Sequence, residues 1–308
     1  MKIVFPDRID LDDESLAKFR EQGVQMYDDT PNDEAVIIER VRDAEIITAN
    51  FIDLTRNVID NAPNLKCIIS PAVGYEWIDY EYAASKGIKV MNCPTQNAEA
   101  VAEHAIALML AVAHRIAEAD TSIREGKWKQ QELVGVELNH KKLGLVGYGK
   151  IGKLIEKKAS GIGMHVQYVN SKSSKEDLER LLQESDVVCL CLALNDSTKN
   201  LINEPRLKLL KKEAILVNIA RGAIVDEAAL VQMLRRGDIR GAGLDVFQNE
   251  QFTRDTPQSM QEIAQLPNVV ATPHLAYNTE ETTMRLGTEL LGNIEAYIAG
   301  SPLNVVNS

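Results

Sequence analysis

Three glycines directly after a short apolar segment could bind a phosphate group. Leu143–Val146 leads into Gly147, Gly149 and Gly152, and an amphipathic helical pattern begins inside this glycine-rich turn. The first glycine would permit a tight turn, the second would let a pyrophosphate approach the backbone, and the third would let helix and strand pack closely. The G-x-G-x-x-G spacing alone is weak evidence, but between a strand and a helix it predicts a dinucleotide-binding site.

The end of the next predicted strand indicates which dinucleotide this site prefers. The strand His165–Val169 is followed by Asn170, Ser171 and Lys172, with no acidic residue. An acid at this place hydrogen-bonds the ribose 2′-hydroxyl of NAD and repels the 2′-phosphate of NADP. A hydroxyl and a cation in its place favour NADP(H). A solvated loop, in a site that also accepts NAD, remains the alternative.

Three more polar residues follow three further apolar segments. Arg221, Glu250 and His274 each come after a different predicted strand. In an open α/β sheet, ligands bind at the carboxyl ends of the strands, so each residue stands where a ligand could be reached. The sequence alone does not bring the three together, because even Glu250 and His274 are far apart in the chain.

The elements that would position these residues alternate between short apolar strands and amphipathic helices. This alternation is typical of parallel sheets with crossover helices. The strands predicted in the first set are Lys2–Phe5, Val24–Tyr27, Ile46–Thr48, Cys67–Ser70 and Lys89–Met91. Those in the second set are Leu143–Val146, His165–Val169, Val187–Leu190, Ile215–Asn218, Gly241–Leu244 and Val269–Ala271. The second set is nearly continuously apolar, which predicts burial on both faces.

Two long helical patterns divide the chain. The residues from Asn97 to about Ile123 predict one long helix that passes between two domains, and a final helix from Thr279 to about Ala299 should pack back on the first set of strands. The first domain is therefore expected to be discontinuous, with residues 1–97 and 276–308 around a second domain of residues 98–275. The long helix is apolar over more of its surface than one domain needs to bury, which predicts a homodimer.

The composition limits the class of protein. The chain has 308 residues, of which 45% are hydrophobic and 26% are charged, as expected for a folded protein. Its net charge of −11 argues against nucleic acid and against anionic membranes as partners. No apolar run has the length of a membrane-spanning helix, and Pro6 interrupts the amino-terminal apolar run before a signal peptide can form. These features predict a cytoplasmic protein.

Four cysteines, Cys67, Cys93, Cys189 and Cys191, lie in or beside apolar segments. A metal site or a disulfide is the alternative interpretation, but the spacing contains no C-x-x-C pair, and we predict buried thiols and no metal site. Trp77 and Trp128 are expected to be packing residues. The other histidines, His104, His114, His140 and His165, are expected to be structural or exposed.

Taken in order, these segments resemble the D-isomer-specific 2-hydroxyacid dehydrogenase family. The resemblance runs from about Leu65 to Ala276 and includes residues 97–104 and 220–226. It implies a Rossmann-type dinucleotide-binding domain inserted into a flavodoxin-like substrate domain, both α/β with a doubly wound parallel sheet. The active site of this family lies in the cleft.

The resemblance implies a role for each of the three polar residues. Arg221 would bind the carboxylate and carbonyl of a 2-oxo acid, His274 would exchange the proton, and Glu250 would pair with His274. These roles suit the planar fork of a guanidinium, the near-neutral titration of an imidazole, and the stabilisation of an imidazolium by a carboxylate.

The resemblance also implies the residues that bind cofactor and substrate. The cofactor-binding residues would be Gly147, Gly149, Lys150, Ile151, Gly152, Asn170, Ser171, Lys172, Leu192, Ala193, Thr198, Ile219, Ala220, Asp245 and Ala276. The substrate-binding residues would be Asn50, Phe51, Val73, Gly74 and Arg221. Cys191 and Ala193 stand where His and Pro are usual in the family, and Ala49 stands where phosphoglycerate dehydrogenases carry Arg.

These features predict an NADPH-dependent reductase of a small 2-oxo acid of the glyoxylate or hydroxypyruvate type, with NAD as a possible cofactor. One alternative is the same enzyme class acting on a bulkier 2-oxo acid. The other is a dinucleotide-sensing binding protein like the corepressors that share this architecture.

Overall fold

The computed structural model describes residues 1–248, 250 and 258–307 of the chain. They form two compact units, one made of Met1–Asn97 and the segment from Asn278 onward, the other of Ala98–Tyr277. The second boundary lies two residues beyond the predicted one. The functions predicted for the two units, substrate binding and dinucleotide binding, stay predictions at this point.

The first unit contains a parallel sheet of five strands in the order β2-β1-β3-β4-β5. The strands are β1 (Ile3–Phe5), β2 (Gln25–Met26), β3 (Ile46–Thr48), β4 (Cys67–Ile69) and β5 (Lys89–Met91). The order reverses at β1, so the loops after β1 and β3 lie at the topological switch point, where open α/β sheets bind ligands. This is the flavodoxin-like strand order.

Four helices connect these strands: α1 (Asp13–Glu21), α2 (Glu34–Val41), α3 (Arg56–Asp60) and α4 (Tyr80–Ser85). Each helix begins after a residue whose side-chain oxygen accepts a hydrogen bond from a backbone N–H of the first turn. These capping residues are Asp12, Asp33, Thr55 and Asp79. Local sequence therefore fixes where each helix starts, since such caps satisfy N–H groups that have no partner within the helix.

The second unit contains a parallel sheet of six strands in the order β11-β10-β9-β8-β6-β7. The strands are β6 (Lys142–Val146), β7 (His165–Val169), β8 (Val187–Leu190), β9 (Ile215–Asn218), β10 (Gly241–Leu244) and β11 (Val269–Ala271). Its helices are α5 (Ala98–Ala113), α6 (Ile116–Arg124), α7 (Lys150–Gly161), α8 (Lys175–Glu184), α9 (Glu204–Leu207), α10 (Glu227–Arg236) and α11 (Gln258–Ala264), with a short 3₁₀ helix, Gly222–Ile224. The predicted fold class, two doubly wound parallel-sheet domains, is confirmed.

The last helix, α12 (Glu280–Ile298), packs on α1 in the first unit. The two helices approach closely at Gly287, where an added Cβ would lie 1.9 Å from the Ser15 hydroxyl oxygen. A glycine at this position therefore sets the distance between the helices.

The long helix predicted from Asn97 is two helices, α5 and α6, whose axes differ by 64°. Val136 donates its backbone N–H to the Ala113 carbonyl at 2.8 Å, and Gly135 lies so close that an added Cβ would be 2.8 Å from the same oxygen. Arg115 then adopts a left-handed conformation, with φ 54°. The prediction failed because the break is caused by a segment about twenty residues further along the chain.

Within its unit, α5 packs against α7, β9 and β10, and its apolar side chains are mostly buried there. No single helix in the described part of the chain is long and apolar enough to cross a membrane. The pair α5 and α6 meets the length and composition criteria only together, across the bend.

Three further predictions can be compared with the structure. Strand β7 is an edge strand and is not buried on both faces, since Tyr168 is exposed and stacks on Tyr148. Trp77 is a packing residue and donates its indole N–H to the Ala49 carbonyl at 3.1 Å. The packing role predicted for Trp128 is wrong, since that residue is 80% exposed.

All four cysteines are free thiols. Cys67, Cys93 and Cys189 are buried as predicted, whereas Cys191 is only half-buried. No group of three or more His, Cys, Asp or Glu side chains that could hold a metal ion occurs among the residues described above.

Candidate active site

The glycine-rich turn after β6 leaves space at one glycine and excludes side chains at the other two. Gly147 has φ 102°, and an added Cβ there would lie 2.4 Å from the Cys191 carbonyl oxygen. At Gly152 an added Cβ would lie 2.9 Å from the Gly147 carbonyl oxygen. At Gly149 nothing lies within 4 Å. The turn is therefore closed on the side facing the sheet and open over Gly149.

The thiol of Cys191 adds a contact that the sequence did not predict. It donates a hydrogen bond to the Gly147 carbonyl, with the two atoms 3.1 Å apart. Burial raises the pKa of this thiol to about 12. The thiol therefore stays protonated at neutral pH and can act as a donor to the turn.

Helix α7 begins at this turn, with Gly149 as its N-cap and Lys150, Ile151 and Gly152 in its first turn. No side chain caps the helix. Backbone N–H groups at a helix start attract anions, and the open space over Gly149 lets an anion reach them. The residues present therefore fit a dinucleotide pyrophosphate.

The segment after β7 is an exposed polar turn. The Asn170 side-chain oxygen accepts the backbone N–H of Lys172 at 2.9 Å, and the Asn170 N–H donates to the Ser173 hydroxyl at 3.1 Å. Asn170, Ser171 and Lys172 are all exposed. The next aspartate, Asp177, accepts the backbone N–H of Ser174, the N-cap of α8, in a capping box. No carboxylate is thus presented by residues 170–175.

The loop after β8 is closed by its own polar groups. The Thr198 hydroxyl donates to the Ala193 carbonyl at 2.8 Å and accepts the Asn195 N–H at 2.8 Å. Leu192 packs on the core of the unit. The structure gives Thr198 a role in shaping this loop, and a direct contact of these residues with cofactor stays a prediction.

Arg221 follows β9 on a backbone that is held from both sides. The buried Asn218 side chain accepts the Ala220 N–H and donates to the Arg221 carbonyl, both at 3.0 Å. At Gly222 an added Cβ would lie 1.9 Å from the carbonyl carbon of Phe247. Because only glycine fits there, the segment that carries Arg221 packs directly on the segment that precedes Glu250. The other two predicted residues here, Ile219 and Ala220, are buried.

His274 and Glu250, two of the predicted catalytic residues, are in contact. His274 Nδ1 lies 2.6 Å from one carboxylate oxygen of Glu250, and the other oxygen accepts the Phe247 N–H. The two side chains are 25% and 16% exposed, respectively. A carboxylate accepts hydrogen bonds and does not donate them, so Nδ1 carries a proton and Nε2 lies on the opposite side of the ring.

A buried aspartate holds the turn on which His274 lies. Asp245, 1% exposed, accepts hydrogen bonds from the Thr272 hydroxyl at 2.5 Å, the Leu275 N–H at 2.9 Å and the Ala276 N–H at 3.0 Å. Its backbone carbonyl accepts the His274 N–H at 2.8 Å. His274 has φ 51°, a conformation that costs energy for residues other than glycine and persists where neighbours fix it. Asp245 supplies that constraint.

In the first unit, Val73 and Gly74 lie on a loop whose carbonyls are tied to its neighbours. The Ala72 carbonyl accepts the Cys93 N–H at 3.0 Å, and the Val73 carbonyl accepts from the Asn92 amide at 2.8 Å. In a trans peptide the N–H points opposite to the C=O. The N–H groups of Val73 and Gly74 therefore point away from these partners, as a backbone site for a carboxylate requires.

Asn50 and Phe51, also in the first unit, are held by a residue that the sequence analysis missed. The carboxylate of Asp7 is fully buried and accepts the Asn50 N–H at 3.1 Å and the Phe51 N–H at 2.6 Å. Burial raises the pKa of Asp7 to about 6, against the opposing effect of these N–H groups and of Arg40. The sequence signal that could have identified Asp7 is an acidic residue just after a buried strand.

Comparisons with known proteins identify the family of this chain. The model of the D-isomer-specific 2-hydroxyacid dehydrogenase NAD-binding domain matches residues 106–276. A glyoxylate reductase from Thermococcus litoralis is 40% identical over 88% of this chain and 86% of its own length. A glycerate dehydrogenase from Methylorubrum extorquens is 36% identical over 100% of this chain and 99% of its own.

Among solved structures, an acyclic imino acid reductase in complex with NADPH and D-Arg superimposes with a TM-score of 0.89 and 33% identity, and the match covers 99% of this chain and 100% of that one. The chain therefore belongs to the D-isomer-specific 2-hydroxyacid dehydrogenase family and is an oxidoreductase that uses a nicotinamide dinucleotide to interconvert 2-oxo and 2-hydroxy acids.

Proposed function

We propose that this enzyme is an NADPH-dependent reductase of small 2-oxo acids of the glyoxylate or hydroxypyruvate type. The observation that carries the proposal is the hydrogen bond between His274 Nδ1 and the Glu250 carboxylate, at 2.6 Å, on the turn held by Asp245. The curated relatives support the substrate class, since their names are glyoxylate reductase and glycerate dehydrogenase.

In the reductive direction His274 is the proton donor. Glu250 stabilises the imidazolium and fixes the ring, so that Nε2 donates its proton to the carbonyl oxygen of the 2-oxo acid. The same pair accepts the proton in the reverse direction. When bound, the reduced nicotinamide supplies the hydride that the carbonyl carbon receives.

Arg221 binds the substrate carboxylate and carbonyl through its planar guanidinium, whose fork matches carboxylate geometry. The N–H groups of Val73 and Gly74 are proposed as further donors to the carboxylate, and Asn50 and Phe51 as residues that contact the remainder of the substrate. Ala49 offers no cation for a phosphate group, which favours an unphosphorylated substrate.

The cofactor preference rests on the turn after β7. Gly147, Gly149 and Gly152 with the start of α7 would hold the pyrophosphate, and Ser171 and Lys172 would contact a 2′-phosphate. No carboxylate there repels that phosphate. We expect kcat/KM to be higher with NADPH than with NADH.

Substitutions in that turn test the preference. Asn170→Asp, which introduces the repelling charge, and Lys172→Ala should lower kcat/KM for NADPH and leave the value for NADH nearly unchanged. Lys157→Ala removes an exposed lysine from α7 and is the matched control. Equal values with the two cofactors, or a preference of the wild type for NADH, would refute the NADP assignment.

His274→Ala tests the mechanism. Loss of a general acid costs about 10²- to 10⁴-fold in kcat, so reduction of glyoxylate and hydroxypyruvate should fall by that order. Cofactor binding, followed by fluorescence, should persist and would show that the variant is folded. A wild-type kcat in this variant would refute the proposed mechanism.

A substrate panel separates the alternatives. Glyoxylate, hydroxypyruvate and pyruvate are compared with bulky and branched 2-oxo acids and, because a similar structure is named an imino acid reductase, with 2-oxo acids in the presence of an amine. Preference for a bulky acid would shift the substrate class. Cofactor binding without turnover of any of them would favour the dinucleotide-sensing alternative.

We also propose that the enzyme is a cytoplasmic homodimer. The proposed interface includes only the α6 end of the predicted long helix, because α5 buries its apolar side chains within its own unit. The large exposed apolar residues of this part of the chain are Ile116, Ile123, Trp128 and Val134. Light scattering after size exclusion should give twice the chain mass, and Trp128→Ser should weaken the dimer.

A further inference from the structure

We propose that His104 is a positioning residue for His274, acting through Thr272 and Asp245. The sequence analysis expected His104 to be structural or exposed. In the structure its Nε2 atom lies 3.0 Å from the Thr272 hydroxyl oxygen and 3.5 Å from the Asp245 carboxylate. The proposal rests on the proposed role of His274 as the proton donor.

The direction of the hydrogen bonds follows from the chemistry of the groups. An ionised carboxylate only accepts, so the Thr272 hydroxyl must give its hydrogen to Asp245 at 2.5 Å. The Thr272 oxygen is then an acceptor toward His104, and His104 Nε2 is the donor. This network assigns one tautomer to His104 and makes it the first donor of a chain that ends on Asp245.

Close packing of α5 on β10 brings His104 to this place. At Gly243 in β10 an added Cβ would lie 2.9 Å from the Leu108 Cβ of α5. His104 is one helical turn before Leu108 on the same face of α5, and Asp245 follows Gly243 by two residues. A side chain at position 243 would move the helix and separate His104 from its partners.

Loss of the His104 donor would affect the backbone at His274. Thr272 and Asp245 are the groups that hold the turn with φ 51° at His274. Without the His104 donor, the Thr272 hydroxyl is free to rotate away from Asp245, and the turn loses one of its constraints. The expected result is a misplaced proton donor and a lower kcat, with little change in cofactor binding, since a shift of about 1 Å costs up to about 100-fold in rate.

Substitutions at both ends of the contact test the proposal. His104→Leu should lower kcat about 10-fold and change the KM for the dinucleotide less than about 2-fold, whereas His104→Gln, which keeps an N–H donor, should recover most of the rate. His114→Leu, at an exposed position at the end of α5, is the matched control and should leave kcat unchanged.

A double-mutant cycle with Thr272→Val shows whether His104 acts through Thr272. Two residues of one hydrogen-bond network are not additive, so the double variant should be no slower than Thr272→Val alone. If His104→Leu fails to fold, as judged by its dinucleotide binding, His104→Gln and Thr272→Val carry the same comparison, with Gln near wild type and Val slow.

Wild-type kcat in a folded His104→Leu, failure of Gln to recover the rate, or a double variant whose loss is the product of the two single losses would each overturn the proposal. These outcomes are separate from failure of the proposed function, which would appear as wild-type turnover by His274→Ala.

Discussion

Two buried aspartates, one in each unit, do similar work with different numbers of partners. Asp7 follows β1 and accepts the backbone N–H groups of Asn50 and Phe51. Asp245 follows β10 and accepts two backbone N–H groups and the Thr272 hydroxyl. In both places a carboxylate at the end of a parallel strand fixes a neighbouring loop that carries proposed site residues.

The two aspartates differ in how many contacts they supply to the segment that each one fixes. The turn at Asp245 is also held by the backbone carbonyl of that residue and must maintain a strained residue, His274. At Asp7 the carboxylate accepts the Asn50 and Phe51 N–H groups, and burial of this carboxylate raises its pKa to about 6. Asp245 therefore fixes the turn of His274 with more hydrogen bonds than Asp7 contributes to the loop of Asn50 and Phe51.

The largest effect is expected from Asp245→Asn. An amide has one acceptor oxygen, so its NH₂ group must face either the Ala276 N–H or the Thr272 and Leu275 donors. We expect the turn to shift and kcat to fall by about 100-fold, with a smaller change in the KM for the 2-oxo acid. Steady-state kinetics measures the split, and circular dichroism checks the fold.

A weaker effect, mainly on the KM for the 2-oxo acid, is expected from Asp7→Ala. Loss of the carboxylate frees the Asn50 and Phe51 N–H groups and loosens the loop that is proposed to contact the substrate. The KM for the 2-oxo acid should rise about 10-fold and kcat should fall less. A drop in kcat with unchanged KM would break the distinction between the two loops.

Asp7 also predicts a dependence of stability on pH. Its pKa rises from 3.8 to about 6 on folding, because burial disfavours the charged form. The folded state therefore binds the proton more tightly, and the contribution of Asp7 to the free energy of unfolding is full below about pH 4 and is lost as the pH rises through about 6. The whole change is about 3 kcal/mol, since one pKa unit corresponds to about 1.4 kcal/mol.

Urea unfolding at about pH 4.5 and about pH 7 measures this change. Wild type should lose stability relative to Asp7→Asn between the two pH values. Asp12→Asn is the control, because the Ser15 hydroxyl lowers the pKa of Asp12, so the contribution of Asp12 changes only below about pH 4 and should be the same at both pH values. A parallel pH dependence of wild type and Asp7→Asn would contradict the assignment of the raised pKa to Asp7.

The sequence predicted the features that depend on local pattern. Apolar runs bounded by turns marked the strands, and the bounds of β8 and β9 agree with the prediction. The break between α5 and α6 was not predictable, because its cause, the contact of Gly135 with Ala113, depends on the fold. The exposure of Trp128 likewise depends on what packs beside it.

The candidate site also contains both kinds of feature, those predicted from local sequence pattern and those that depend on the fold. Glycine spacing and strand ends predicted Gly149, Arg221 and His274 as candidate site residues. The contact of Asp7 with Asn50 spans 43 residues, and that of His104 with Thr272 spans 168. No spacing rule connects residues so far apart, so the partners of Asp7 and His104 could be found only from the structure.

The smallest effect on kcat is expected from substitution of a third acid, Glu227. Its carboxylate accepts a single backbone N–H of the segment before Glu250. Its carboxylate accepts the Gln248 N–H at 2.8 Å and is only half-buried. Burial raises the pKa of Glu227, and the charge of Glu250 adds to the effect.

Glu227→Gln keeps an acceptor for Gln248 and removes the like charge beside Glu250. The raised pKa means that ionised Glu227 destabilises the fold, so the variant should unfold at the same or a slightly higher temperature near neutral pH. Its kcat should change by less than about 3-fold, because only one of the contacts around the segment is altered. If the kcat of Glu227→Gln fell as far as that of Asp245→Asn, the number of hydrogen bonds that each carboxylate accepts would not explain the order of the three effects.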